Sequence, residues 1–426
     1  MGQQAIIALS IFLITYGLII SEKVHRTIIS ILGGALMVAL GVIDQETAIH
    51  HIDFNTIGLL VGMMVIVTIT AETGLFKFIA IWAAKKVKGD PVKTLIALGL
   101  ITAIGSAFLD NVTTVLLVVP VTFSVTRRLN LNPIPFLMTE IFASNIGGTA
   151  TMIGDPPNIM IGSAVKELTF LSFIDNLALI CGIILVITIA IMAIFYKKGL
   201  KTKTELVENL MRLDEKKEIV DHKLLRKCLL ALAITIGGFF LHQFIHVETA
   251  TIALFGAFLL LLLAGEKHLE YALEKVEWTT LFFFVGLFVI VAGLVETGII
   301  ASVAKHAMEW TGGDLKATTF LILWMSAIAS AFVDNIPFVA TMIPMIKEMG
   351  HMGITNLEPL WWSLSLGACL GGNGTLIGAS ANLVVAGLAG KEGYHISFVK
   401  YLIIGFPLMI LSILISSVYV YLRYLM

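Results

Sequence analysis

Charge is scarce in this chain: only 13% of its 426 residues are Asp, Glu, Lys or Arg, about half the share usual in soluble domains. With 58% hydrophobic residues and a mean hydropathy of +0.96, it cannot cover a water-facing surface, so a soluble globular domain is excluded and a polytopic membrane protein is implied. Basic and acidic residues nearly cancel, at a net charge of −1, which leaves no electrostatic footprint for nucleic acid. The three cysteines, Cys181, Cys228 and Cys369, stand singly in apolar runs, which argues against a disulfide framework and a thiolate metal site. No two of the ten histidines have metal-ligand spacing inside a span, and neither a Gly-x-Ser-x-Gly elbow nor a P-loop occurs. An enzyme is therefore not expected, and neither a metal nor a cofactor beyond a coupling Na+ or H+. Met1 to Ser21 lacks a basic n-region and a small-residue cleavage site, and reads as a first transmembrane helix rather than a removable signal peptide.

What the chain does have is one motif written twice. Ala107-Phe108-Leu109-Asp110-Asn111 and Ala331-Phe332-Val333-Asp334-Asn335 are 224 residues apart, and the same offset links Glu72 to Glu296, Pro120 to Pro344, Gly154 to Gly378 and Asn158 to Asn382. The chain is thus an internal duplication. A carboxylate at mid-membrane depth costs at least about 2.5 kcal/mol, so its presence in both copies points to function.

Apolar runs suited to helices fall at 5–21, 27–43, 54–73, 94–126, 134–165 and 170–196, then again at 228–245, 248–264, 278–297, 318–348, 357–389 and 397–424. The expected organisation is a first repeat over 1–196, a charged, helix-permitting cytoplasmic linker over 197–227 and a second repeat over 228–426. The fourth run of each repeat has a polar middle, Asp110-Asn111 with Thr113 or Asp334-Asn335 with Pro337. A hairpin that enters halfway and returns places such a tip against protein or a water-filled cavity, where irregular backbone is tolerated. Five full spans plus one re-entrant hairpin per repeat force the second repeat to insert upside down. Loop charge agrees: with the N-terminus outside, Lys and Arg divide 23 inside to 5 outside. Both termini are then extracytoplasmic. Residues 77–89 and 300–313 follow a shared Glu-Thr-Gly and read as amphipathic interfacial arms, with Glu72 and Glu296 either capping the bend and pairing with arm lysines or forming an ion site. Trp361 and Trp362 read as an interfacial aromatic belt.

The fifth run of each repeat is interrupted by glycines, Gly147, Gly148 and Gly154 in one copy and Gly371, Gly372 and Gly378 in the other. Helices broken at the midplane are expected there, with free carbonyls suited to a cation and half-helix N-termini suited to an anion or a polar oxo-species. The candidate substrate- and ion-binding residues are Asp110, Asn111, Thr113, Asp334 and Asn335 at the tips, with Thr151, Asp155, Asn158, Thr375 and Asn382 on the broken helices. A coupling Na+ would sit near Asn111 and Asn335. Asp110, Asp155 and Asp334 lie in predicted mid-membrane elements where no Lys or Arg is expected. A carboxylate taken out of water binds a proton or a cation in its place. Coupling to H+ or Na+ is therefore favoured, and a polyvalent anion as sole cargo is disfavoured; structural satisfaction of one Asp by hairpin-tip N–H groups stays open as the alternative.

The stretches SAFLDNVTTVLLVVPVT, IGGTATMIGDPPN, DNIPFVATMIP and LGACLGGNGTLIGASANLVVAG resemble the ion transporter superfamily, specifically its arsenite-permease-like branch with the P-protein-like (pink-eyed dilution) members. The resemblance implies an all-α membrane protein of two inverted repeats, a scaffold and a transport domain, elevator-type alternating access and a homodimer. Asp110 and Asp155 stand where the sodium-dicarboxylate carriers of the superfamily have Ser, and Asp110 and Asp334 where the arsenite pumps have Asn, so neither cargo carries over by site. The expectation is a cation-coupled secondary transporter of a small inorganic ion or oxyanion-type solute such as arsenite or antimonite, in the plasma membrane. A Na+/H+ antiporter, a carboxylate or chloride transporter and a channel stay open as alternatives. The expected partners are solute, coupling cation and lipid bilayer; for the linker a solvated helix is favoured over a docked soluble ATPase.

Overall fold

The computed structural model describes residues 2–21 and 23–426, which are mostly helical with no strand among them. Among these residues, eight helical segments are long and apolar enough to cross a membrane: Gln3–Ser21, Phe54–Glu72, Pro91–Phe108 and Phe170–Tyr196, then His222–Ile245, Trp278–Glu296, Leu315–Phe332 and Phe398–Leu425. The shorter apolar helices Arg26–Ala39 and Thr249–Ala264 occupy matching places in the two halves.

Each polar-centred fourth run is a helical hairpin. Pro91–Phe108 starts behind an Asp90 cap with Pro91 in its first turn, ends in extended backbone at Leu109 and Asp110, and returns as Asn111–Arg128. Leu315–Phe332 and Asn335–His351 repeat this around Val333 and Asp334. The outgoing arm lies beside the helix Ile134–Thr149, Gly99 facing Thr139 and Gly147 facing Ala103, so the two run in the same direction. Parallel neighbours joined by one return helix place the tip of the hairpin beside the break between Ile134–Thr149 and its continuation Pro156–Ala164.

The halves pack reciprocally. Phe54–Glu72 lies on Thr249–Ala264, and its counterpart Trp278–Glu296 lies on Arg26–Ala39. A Cβ on Gly62 would stand 2.5 Å from the Ala253 carbonyl carbon, and one on Gly286 2.4 Å from that of Ser30. Partners exchanged in this way mark a pseudo-twofold axis, the relation inverted repeats impose.

Several expectations are corrected. The first helix of the second half starts at His222 rather than 228, because the Asp221 carboxylate accepts the Lys223 and Leu224 N–H groups at 2.8 and 2.9 Å. The segment before it holds only the short helix Thr204–Met211 and the 3-10 turn Glu215–Glu218. It is tied down: Lys85 donates at 2.5 Å to both the Leu213 carbonyl and Glu215. Gly74 and Gly298 take φ of 82° and 74° at the starts of the arms Leu75–Lys86 and Ile299–Thr311, conformations that glycine adopts without strain. Glu72 and Glu296 do not pair with arm lysines but with histidines of the opposite half, His268 at 2.9 Å and His51 at 3.6 Å. Trp361 and Trp362 are buried rather than interfacial, Trp362 lying edge-on to Phe173 at 5.1 Å.

Candidate functional site

The two hairpin tips and the two helix breaks meet at one small cavity. Its volume is about 20 Å³, and its lining includes Asp110, Asn111, Asp155, Asn335 and Ser380. That is room for a single water or ion. Arg26 and Glu277 line it too, and both also line a larger, more open cavity of about 520 Å³, called the vestibule.

Each tip aspartate caps the return helix of its own hairpin. Asp110 accepts the Thr113 N–H at 2.9 Å and, on its other oxygen, the Thr113 hydroxyl. Asp334 accepts the Ile336 N–H at 3.1 Å, but its other oxygen takes the Arg26 guanidinium and, at 2.8 Å, the Ser380 hydroxyl. A basic group thus reaches the tip carboxylate from outside the elements that carry these aspartates. Arg26 is the first residue of its helix, and its long side chain carries the charge inward from the helix end.

Asparagines knit the two repeats together. The Asn145 amide donates to Asn373 and Asn382, both at 2.9 Å, and its carbonyl accepts from Asn111 at 3.2 Å. Asn158 accepts from Ser365 at 2.5 Å and from the Cys369 thiol at 3.6 Å. The duplication offset relates Asn145 to Cys369 and Asn158 to Asn382, so these contacts obey the same pseudo-twofold exchange. Asn335 donates to Asp155 at 3.3 Å, and the second Asp155 oxygen is buried without a partner.

Not every expected group faces the cavity. The Thr151 and Thr375 hydroxyls donate to the hairpin carbonyls of Ala107 and Ala331. The unwound stretches are shorter than the glycine spacing suggests: helices run to Thr149 and Gly371 and resume at Pro156 and Ser380. Gly147, Gly148 and Gly371 are thus helical, and they serve close approach. A Cβ on Gly147 would lie 2.1 Å from the Ala103 oxygen, and one on Gly371 2.5 Å from that of Ala327. Gly154, Gly372 and Gly378 do lie in the breaks, crowded against backbone. Carbonyls expected to be free are partly taken. Asn158 donates to Thr149 and Thr151 at 3.0 and 2.9 Å, and Asn382 to Gly372 and Thr375 at 2.8 and 3.0 Å.

The two half-helix N-termini also differ chemically. Prolines 156 and 157 fill the first two positions of one and bring no N–H. Ser380 and Ala381 open the other, where Ala379 provides no side-chain cap, so that end keeps its donors.

Arg26, Glu277, Asn145, Asn373 and Ser380 were missed as site residues by sequence reasoning. Ser380 and Asn373 stood inside the quoted repeat motif, whereas Arg26 and Glu277 lie at helix starts and read as loop charges. Glu140 was missed as well. It is fully buried on Ile134–Thr149, accepts from Thr122 and has one oxygen without a partner; an acidic residue inside the 134–165 run was the available signal. Among the described residues, no group of three His, Cys, Asp or Glu could hold a metal ion.

Comparison with known proteins places this geometry in context. The family described as citrate transporter matches residues 16–367. An uncharacterized transporter of Mycobacterium tuberculosis is 43% identical, with 99% of each chain covered, and a 46 kDa membrane protein of Mycobacterium leprae is 40% identical at the same coverage. The human P protein is 37% identical over 98% of this chain, which spans 59% of that longer protein. Among solved structures, the YdaH transporter of Alcanivorax borkumensis, described as having an unusual topology, superposes with a TM-score of 0.61 over 99% of both chains at 14% identity. That likeness is one of fold.

Proposed function

The chain belongs to the citrate transporter family, and on that premise we propose that it is a cation-coupled secondary transporter of a small inorganic ion or oxyanion-type solute. The observation that carries this reading is the meeting of both hairpin tips and both helix breaks at one cavity rich in carboxylates. The coupling Na+ or H+ binds at Asp110, Asp155 and Asp334, with Asn111 and Asn335 completing its shell. The cargo's oxygen atoms take the open N–H groups at Ser380 and Ala381. Citrate itself would set three carboxylates against Asp110, Asp155, Asp334 and Glu277 with Arg26 opposing, which is repulsive unless cations enter too. A compact solute such as arsenite or antimonite avoids that conflict.

In this reading the hairpins and broken helices move as one body against the scaffold of Arg26–Ala39, Phe54–Glu72 and their counterparts, in the manner of an elevator. The protein sits in the plasma membrane with both termini outside. The test is uptake into proteoliposomes of labelled arsenite, phosphate, chloride and citrate under imposed pH or sodium gradients. Saturable uptake of at least one solute that collapses with the gradient is expected; none for any solute would refute the reading. Sodium/proton exchange is the second reading, favoured by the excess of carboxylates over cations around the cavity. It would appear as sodium uptake driven by a pH gradient alone.

A further inference from the structure

The repeat copies the tip carboxylate but not the charge beside it. The position related to Arg26 by the duplication offset is Ala250. Asp110 is accordingly held by Thr113 alone, while Asp334 carries a guanidinium. Arg26 also donates to Ser380 at 2.9 Å, and its guanidinium lies 4.9 Å from the centre of the Phe283 ring. Its side chain is 25% exposed and lines the vestibule as well as the small cavity, so it has water to withdraw into. The contact also joins two packed bodies. Arg26 begins a helix that lies on Trp278–Glu296, whereas Asp334 and Ser380 belong to a hairpin tip and a broken helix.

We propose that Arg26 is a tethered cation that competes with the coupling ion for Asp334. The inference rests on the transporter reading, in which Asp334 binds such an ion, and it assigns the two tips different duties. An ionised carboxylate out of water needs a counter-charge. Asp334 has one built in, so it can release its ion toward the vestibule and stay neutralised by Arg26. Asp110 lacks this substitute and holds its ion or proton against no internal rival. Asp110, Asp155 and Glu277 face the same cavity and set the field in which Arg26 and the ion exchange; His25 lines the vestibule beyond.

The test uses purified full-length protein, with sodium chloride against choline chloride, and pH in choline chloride, as the probes. The readout is the sodium concentration, and separately the pH, at half-maximal thermal stabilisation. Removing a competitor tightens binding, so Arg26→Gln should lower the half-maximal sodium concentration at least tenfold, or raise the protonation midpoint by about one pH unit or more. Arg26→Lys should stay within about threefold of the native protein. Arg26→Gln combined with Asp334→Asn should lose the tightened response. Ser380→Ala, which removes the second anchor of the guanidinium together with the hydroxyl that Asp334 accepts at 2.8 Å, frees the carboxylate from both and should tighten the response about threefold; it serves if Arg26→Gln does not fold. A purely structural ion pair predicts instead a lower melting midpoint at every ion concentration with unchanged half-maximal values. That result, weaker binding in Arg26→Gln, or no response to sodium or pH in either protein would overturn the proposal. Solute uptake in proteoliposomes, measured separately, decides the transporter reading on its own.

Discussion

Replacing Asp110 with asparagine separates two duties that one side chain performs. As a helix cap, Asp110 accepts the Thr113 N–H at 2.9 Å through one oxygen, and asparagine presents a carbonyl of the same shape at the same place. Asn and Asp rank together as caps, so the stability change should be about 0.5 kcal/mol or less. Alanine removes the cap, at about 1 to 2 kcal/mol, and leaves the Thr113 hydroxyl without its acceptor, for about another 1 kcal/mol. Melting midpoints should therefore place Asp110→Asn beside the native protein and Asp110→Ala clearly below both. Transport should divide them otherwise. Asparagine carries no charge and takes up no proton, so sodium- or pH-dependent uptake in proteoliposomes should fall by a factor of ten or more in both variants. Full coupled uptake by Asp110→Asn would show that the tip needs a cap and not a carboxylate, and the ion site would have to lie elsewhere. An Asp110→Asn protein as unstable as Asp110→Ala would refute the capping argument instead.

The glycine contacts give a test that spans both repeats. A Cβ at Gly147 or Gly371 meets the backbone oxygen of Ala103 or Ala327 at 2.1 or 2.5 Å, and backbone yields poorly, so Gly147→Ala and Gly371→Ala should each cost about 3 kcal/mol or more. Gly182→Ala, with no neighbouring atom within 4 Å, should be neutral or gain about 0.5 to 1 kcal/mol from helix propensity; equal melting midpoints for all three would contradict the close approach. In the inter-repeat segment, the Lys85 ammonium beside Glu215 holds its carboxyl below the usual glutamate range. The ion pair is then fully formed above the ordinary glutamate value of about 4.3 and is lost as pH falls through the depressed one. Limited proteolysis between 197 and 221 should stay slow from neutral pH down past that range and then accelerate, and Glu215→Gln should be cleaved faster at neutral pH. Identical cleavage rates for the variant and the native protein would show that the pair does not hold the segment.

Much of the architecture was legible because the signals for it are local. Insertion into a bilayer responds to the hydropathy of each run, a helix stops where polar residues or glycines interrupt it, and loop charge reports sidedness, so spans, hairpins and broken helices could be placed from 94–126 and 134–165 and their copies. The offset between Asp110 and Asp334 revealed the repeat, and with it the elements that had to share an axis. Which atoms face one another lay beyond those signals. Arg26 reads as a loop cation, yet it reaches a carboxylate 308 residues away. Gly147 and Gly371 read as helix breakers but are helical and serve close packing, while Asn145 reads as one polar residue in an apolar run and links Asn111 of its own repeat to Asn373 and Asn382 of the other. Hydropathy and turn chemistry act along the chain and add residue by residue. The partner of a long side chain depends instead on how two distant helices cross, which here is set by the packing of one repeat against the other.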